Sequence, residues 1–292
     1  MANIIHSASK LINPFLSDEQ FIRLKWSYRM KGHKLDLENP QTFNEKLQWL
    51  KLNYHNPQQT LLVDKYRVKE YVAKLIGEEH VIPLLGVWNS VEEIDWTALP
   101  DQFVMKCSHD CGGMVICKDK SQLNISEAKA KLAKCLKSNY YAQGREWPYK
   151  NVKPVVFAEA YKEDKFGELR DYKWFCFNGV PKAFFVASDR QKKDEETKFD
   201  FFDTDFNHLP FTNGHPNSDK VIEKPKGFEK MKELAAKLSE NWPHVRVDFY
   251  DVDGEVFFGE FTFFHWGGMT PFVPKEWDYK FGEWIQLPAP ML

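Results

Sequence analysis

The chain lacks any apolar run approaching the ~20 residues that a membrane-spanning helix needs, so no transmembrane segment is expected. It also lacks an excess of either charge. Forty basic residues face 42 acidic ones, which removes the broad electrostatic footprint of a nucleic-acid or polyanion binder. The start, Met1-Ala2-Asn3-Ile4-Ile5-His6, has neither a basic cluster nor a continuous apolar stretch. It does not read as a signal peptide, and a soluble, cytoplasmic protein is expected. Cysteines are few and odd in number, five in all, and none stands in a Cys-x-x-Cys pair. Cys107, Cys111 and Cys117 cluster around His109, which invites a zinc reading. Cys117 and Cys176 fall in strand-like runs, however, and reduced thiols account for all five. Internal repeats and low-complexity segments are missing too.

Aromatic residues, by contrast, are abundant. The 24 Phe, 11 Tyr and 10 Trp favour a β-rich core and a cleft able to stack a ring. A chain of 292 residues has ample core for one large domain or for two to three closely packed ones. The first hundred residues read as helical. Thr42-Phe43-Asn44-Glu45 is a capping box, and Phe43, Leu47 and Leu50 then share one helical face. A second helix is expected from about residue 61 through Asp64, Lys65 and Arg67 to Ile76, with Gly77 as its stop. The stretch 21–34 carries Arg23, Lys25, Arg29, Lys31 and Lys34 among Phe21, Leu24, Trp26 and Tyr28. It fits a solvated helix face, or a peripheral contact with a membrane surface or an acidic polymer.

From Gln102 the pattern turns to strands. Runs at 103–106 and 114–117 flank Cys107-Ser108-His109-Asp110-Cys111-Gly112-Gly113, a helix covers 126–138, and another strand covers 154–161. Two further strands, 172–177 and 180–188, bracket Asn178-Gly179, a strong hairpin signal. The charged segment 192–198 reads as a loop and 228–238 as a helix. Helices first, then strands with interspersed helices, argue for the α+β class.

The most informative runs are Val245-Arg246-Val247-Asp248-Phe249-Tyr250 and Glu255-Val256-Phe257-Phe258-Gly259-Glu260-Phe261-Thr262-Phe263, joined by a short turn ending at Gly254. Side chains alternate along each strand. A three-residue loop closed by Gly254 would give an even register, with Arg246, Asp248, Glu260 and Thr262 on one side of the hairpin. Carboxylates on diagonal cross-strand neighbours lie roughly 7–8 Å apart at Cα, near enough to share a divalent cation. Hard oxygen donors beside an arginine suit Mg2+ carrying nucleotide phosphates; a surface hairpin with scattered acids is the plain alternative. Lys106 ends a strand just before the glycine loop, where an ammonium and backbone N–H groups can hold phosphate oxygens. Lys65 lies near a helix start, Glu159 interrupts the apolar run Val155-Val156-Phe157-Ala158, and Asp171 opens a strand.

Taken in order, these elements resemble the ATP-grasp superfamily, and within it the TupA-like branch of bacterial surface-polysaccharide and teichuronopeptide synthesis. The resemblance rests on Pro40-Gln41-Thr42-Phe43-Asn44-Glu45-Lys46-Leu47-Gln48-Trp49, Asp64-Lys65-Tyr66 and Ile82-Pro83-Leu84-Leu85-Gly86-Val87-Trp88. It continues in Arg145-Glu146-Trp147-Pro148-Tyr149-Lys150-Asn151, in Asp171-Tyr172-Lys173-Trp174-Phe175-Cys176-Phe177-Asn178-Gly179 and in the hairpin above. It implies an ATP-grasp fold in which two α+β subdomains clasp ATP. Residues 1–100 would form a helical N-terminal region, 101–165 the small lid subdomain, and 166–292 the large subdomain with the metal and acceptor site.

The resemblance also implies roles. Lys65 and Lys106 would contact ATP, chiefly its phosphates, and the loop with His109, Gly112 and Gly113 would cover them. Glu159 and the backbone through Tyr161 would lie at the adenine, and Asp171 would take the ribose. Asp248 and Glu260 would bind Mg2+, with Thr262 standing where superfamily members often place Asn. Arg246 would stabilise charge on an acyl phosphate and a tetrahedral intermediate, and Lys173 would reach phosphate or the acceptor carboxylate. The segment His265-Trp266-Gly267-Gly268 would form the acceptor loop, with His265 either a general base for the attacking amine or a structural hydrogen-bond partner. The implied function is a carboxylate–amine ligase joining an amino acid to a uronic-acid-type sugar. A sugar kinase on the same ATP site, an inactive accessory module and a glycosyltransferase are the alternatives.

Overall fold

The computed structural model describes residues 15–109, 112–165, 167, 169–188 and 196–292. The N-terminal hexapeptide, Asp110 and Cys111 of the glycine loop, and most of the charged 192–198 segment lie outside the described residues. In chain order the elements begin with α1 (Asp18–Arg29), α2 (Phe43–Asn53), α3 (Gln58–Val63), α4 (Val68–Ile76), β1 (Leu84–Trp88), β2 (Phe103–Cys107) and β3 (Val115–Cys117). There follow α5 (Ile125–Leu136), α6 (Tyr140–Gly144), β4 (Val156–Ala160), β5 (Asp171–Phe177), β6 (Val180–Ser188), β7 (Lys198–Asp203) and β8 (Thr212–Asn213). The chain closes with α7 (Phe228–Leu238), β9 (Val245–Val252), β10 (Glu255–Thr262), β11 (Phe272–Val273) and α8 (Glu276–Trp284).

Local chemistry explains the helix starts. Ser17 with Gln20, and Thr42 with Glu45, form reciprocal capping boxes at α1 and α2. The single helix expected over 61–76 is instead two. Asp64 is extended, and its carboxylate accepts from the backbone N–H groups of Tyr66 and Arg67, both at 3.0 Å. An aspartate that caps the next turn competes with continuing the helix. Lys65 therefore sits in the break, where its backbone N–H donates to Ser108 O at 2.9 Å and fastens it to the end of β2.

Two antiparallel sheets carry the architecture. The smaller has the order β1-β4-β2-β3 and the larger β10-β9-β5-β6-β7. Although β1 precedes residue 101, it pairs with β4 and forms the edge of the smaller sheet. Trp96, Phe103, Met105 and Leu132 make that sheet's own core, with α5 packed over it. Helices α2 to α4 and α7 join the larger sheet in a second core built on Phe43, Leu47, Trp174, Phe184 and Phe249. The sequence pattern gives no warning of β7, because Phe199, Asp200, Phe201 and Phe202 are all buried and the usual alternation is lost.

Candidate active site

One cleft runs between the two sheets. The smaller sheet contributes Val104, Lys106, Phe157 and Glu159, with Tyr161 just beyond β4. The α3–α4 break and α4 contribute Lys65 and Lys69, and the larger sheet contributes Asp171, Lys173, Tyr250 and Glu260. The space enclosed is roughly 1130 Å³, open mouth included.

The floor is set by the β9–β10 register. Val252 pairs with Glu255, so the loop is the two-residue Asp253-Gly254 turn, both with positive φ (56° and 109°), and not the three-residue loop read from the sequence. Continued regularly, that register would set Gly259 opposite Asp248 and turn Glu260 to the wrong face. A bulge between Phe258 and Glu260 adds one residue. Glu260 then pairs directly with Asp248, and Thr262 with Arg246. The carboxylates are thus direct partners, not diagonal ones. Gly259 makes the bulge possible, since a Cβ there would stand 3.1 Å from Asp248 O and 3.3 Å from the Tyr250 ring. On the other side of β9, Lys173 pairs with Asp248, which gives the row Lys173–Asp248–Glu260 across three strands.

Charges on this row are closely matched. Arg246 grips Asp248 with two bonds, Nε to Oδ1 at 2.7 Å and NH2 to Oδ2 at 2.8 Å. Lys173 binds the same carboxylate and lies 3.2 Å from Asp171 Oδ1. Glu260 pairs with Lys65 and stands 3.6 Å from Arg246 NH2. Burial pushes the Glu260 carboxyl upward, but the charges of Lys65, Lys173 and Arg246 outweigh it and hold the group well below its ordinary range.

Arg246 NH2 also donates to Thr262 Oγ1 at 2.9 Å, and NH1 meets His265 Nδ1 at 2.6 Å. A guanidinium only donates, so His265 Nδ1 accepts, and its Nε2 carries the proton toward Asn213 Oδ1 at 2.9 Å. Burial and the neighbouring guanidinium keep this imidazole neutral, far below its ordinary pKa. Both ring nitrogens are engaged by the protein, so His265 matches its hydrogen-bonding reading and orients Arg246. The general-base reading has no lone pair left to use.

At the other end of the cleft, Glu159 is bound by Lys106 and, at 2.9 Å, by Lys69, which also donates to Ile82 O at 3.1 Å. Burial raises the Glu159 carboxyl, yet the two ammonium groups bring it below its ordinary value. Lys69 was missed in the sequence, although its position four residues after Lys65 is a readable signal. His109 is not brought to the cleft. Its Nε2 lies 3.2 Å from the backbone oxygen of Ser138, just past the end of α5, and it is not among the residues lining the cleft. Gly113 does line the cleft, and a Cβ there would strike Cys135 Sγ at 2.2 Å; Gly112 is exposed beside it. Asp248 is wholly buried beneath Lys173.

The larger sheet, the smaller sheet and the cleft between them define the ATP-grasp class. The chain belongs to the TupA-like ATP-grasp family, whose model matches residues 45–286. A D-alanine–D-alanine ligase from Bacillus anthracis in complex with ATP is similar over 69% of this chain and 53% of its own length, with 15% identity and a TM-score of 0.38. This chain therefore spans about half the length of that ligase. The Helicobacter pylori D-alanine–D-alanine ligase is similar over 83% of this chain and 69% of its own, at 14% identity and a TM-score of 0.42. The ATP-grasp ligase PsnB, with its minimal precursor, Mg and ADP, gives 12% identity, 75% and 57% coverage and a TM-score of 0.39. A search of curated proteins found no match.

Proposed function

We propose that the chain is an ATP- and Mg2+-dependent carboxylate–amine ligase that joins an amino acid to a uronic-acid-type sugar in bacterial surface-polysaccharide synthesis, working in the cytoplasm. The observation that carries this reading is Glu260, in a cleft walled by Lys65, Lys106 and Lys173, paired directly across the sheet with the buried Asp248. No described helix is long and apolar enough to cross a membrane.

The donor set suits the metal. Asp248, Glu260 and Thr262 offer hard oxygens, and the first two already hold cationic side chains where a cation would lie. Among the described residues there is no cluster of three or more acidic, histidine or cysteine donors, so the fit rests on the two carboxylates, with phosphate and water completing the shell. Thr262 adds less, because its hydroxyl is committed to Arg246. Mg2+ held there would neutralise charge on the phosphates and polarise them.

The protein's own residues do the rest in this reading. Lys65 and Lys106 swing from carboxylates onto phosphate oxygens. Glu159 and the backbone through Tyr161 take the adenine, and Asp171 the ribose. Arg246, fixed by His265 and Thr262, faces the carboxyl that is phosphorylated and then attacked, where a preorganised cation lowers the cost of the developing oxyanion. Residues 101–165, with β1, act as the lid over the 166–292 part.

The test is product formation with purified protein, ATP, Mg2+, a uronic-acid glycan and an amino acid. A ligase releases ADP and inorganic phosphate together with an amide only when carboxylate and amine are both present. A phosphorylated sugar formed without amine would replace this reading with a kinase, and no nucleotide-dependent stabilisation would replace it with an accessory module.

A further inference from the structure

The run Arg145-Glu146-Trp147-Pro148-Tyr149 has no part in the site described so far. Arg145 takes a left-handed conformation, φ 53°, and its side chain turns to α1, stacking on Phe21 at 4.6 Å and pairing with Asp18 at 3.2 Å. Glu146 behaves differently. It is only 6% exposed, and its Oε1 lies 3.5 Å from where a Cβ on Gly267 would stand. The carboxylate therefore lies against the loop that leaves His265, and Arg246 is among the charges it feels.

Every cation around it already has acceptors. Lys51 Nζ donates to Gly267 O at 2.7 Å, Gln48 Oε1 at 3.1 Å and Gly144 O at 3.2 Å. Lys25 Nζ donates to Gln143 O at 2.6 Å, and Arg246 is bound to Asp248, Thr262 and His265. Among the described residues no group donates a hydrogen bond to Glu146. A nearly buried carboxylate without donors is costly, and one set against the loop that leaves His265 marks the place of a ligand that brings donors.

We propose that Glu146 seats the ammonium group of the amine substrate and takes a proton from it before attack. This rests on the ligase reading. In the step, the ammonium gives one proton to the Glu146 carboxylate, and the nitrogen lone pair forms a C–N bond to the acyl-phosphate carbon. The C–O bond to phosphate breaks, phosphate leaves with that electron pair, and the second nitrogen proton departs with it as hydrogen phosphate. Burial lifts the Glu146 carboxyl against the pull of Lys51, Lys25 and Arg246, which makes it the better base. A Cβ on Gly267 would touch the carboxylate, and Lys51 and Gln48 bind the loop carbonyls of Gly267 and Gly268.

The test compares wild type with Glu146→Gln and Glu146→Asp, using glucuronic acid as carboxylate. An equimolar mixture of the proteinogenic amino acids serves as amine in one arm and hydroxylamine, uncharged at neutral pH, in the other. In Glu146→Gln the KM for amino acid is expected to rise about 10–100-fold, the loss of one charge-assisted hydrogen bond, with KM for ATP unchanged. Hydroxamate formation should stay at the wild-type rate, and amide formation should recover with rising pH as free amine accumulates. Glu146→Asp should restore part of the amino-acid KM. An unchanged amino-acid KM in Glu146→Gln, or equal losses in both arms, would overturn the proposal and leave Glu146 as a counter-charge for Lys51. Should wild type give no hydroxamate, the ligase reading itself falls, and this proposal with it.

Discussion

The two carboxylates proposed for the metal are held so differently that replacing each should have a different consequence for folding. Asp248 has 0% side-chain exposure, accepts two short bonds from Arg246 and pairs with Lys173. Glu260 keeps 28% side-chain exposure and has one close partner, Lys65, with Arg246 at 3.6 Å. In Asp248→Asn the shape survives but the charge is lost, leaving a buried guanidinium and a buried ammonium facing a neutral amide. Breaking a buried ion pair in this way costs about 3–5 kcal/mol. Glu260→Gln can rehydrate in part, so breaking its half-buried pair with Lys65 should cost less than breaking the fork on Asp248, about 1 kcal/mol. At roughly 2–4 °C of Tm per kcal/mol, Asp248→Asn should melt about 6–20 °C below wild type and Glu260→Gln within a few degrees of it. Both should lose ATP-dependent turnover. Urea unfolding at neutral pH with a parallel thermal scan measures the difference. Equal losses in the two variants, or a loss below about 1 kcal/mol in Asp248→Asn, would refute the account of the buried fork.

Arg246→Ala should slow the chemical step by roughly 10²–10³-fold, read by single-turnover amide formation under saturating ATP. Near-normal rates would remove Arg246 from the reaction. Gly259→Val would press its side chain on Asp248 O and the Tyr250 ring. It should cost about 1–3 kcal/mol and abolish the stabilisation that Mg2+-ATP confers, measured by thermal shift with and without Mg2+; an intact shift would show that the bulge does not set the site. His244 is buried, and burial first and Arg246 second push its imidazole down to about 3. An unfolded histidine titrates near 6.5, so between those values the unfolded chain binds more protons and stability falls as pH falls. Urea unfolding from pH 7 to about 4.5 should show His244→Phe losing roughly 2–3 kcal/mol less than wild type; parallel curves for the two would refute this.

What could be read from the residues depended on how local the cause was. The Thr42–Glu45 capping box, the Asn178-Gly179 turn and α7 follow from neighbours within a few positions, and they stand where the sequence puts them. The acidic hairpin was legible as a set of residues, but its register was reached by the wrong route. Two errors, a turn one residue too long and an unread bulge at Gly259, cancel at Glu260. The α3–α4 break was visible in Asp64, whose short side chain favours a cap over a helix interior. Other parts were out of reach. Asn213 fixes the tautomer of His265 from 52 residues away, and Glu146 meets Gly267 only because Lys51 ties Gly144 and Gly267 together.

The charge pattern gives the ion pairs of the cleft a purpose beyond stability. Six cationic side chains, Lys65, Lys69, Lys106, Lys162, Lys173 and Arg246, share the cleft and its floor with four carboxylates, Glu159, Asp171, Asp248 and Glu260. Each of the four carboxylates is paired with at least one of these cations. In the proposed reading, an incoming nucleotide would offer phosphate oxygens to the lysines as a cation is offered to Asp248 and Glu260, so the lysine–carboxylate pairs would be exchanged for others of the same kind. Such exchange keeps the desolvation already met during folding. Arg246 is held differently: besides its two bonds to Asp248 it donates to Thr262 and to His265, contacts that involve no lysine. In that reading the lysines are exchangeable counter-ions and the arginine stays fixed. That division is what a site must have if binding is to rearrange its rim while the charge that faces the reacting carbon stays in place.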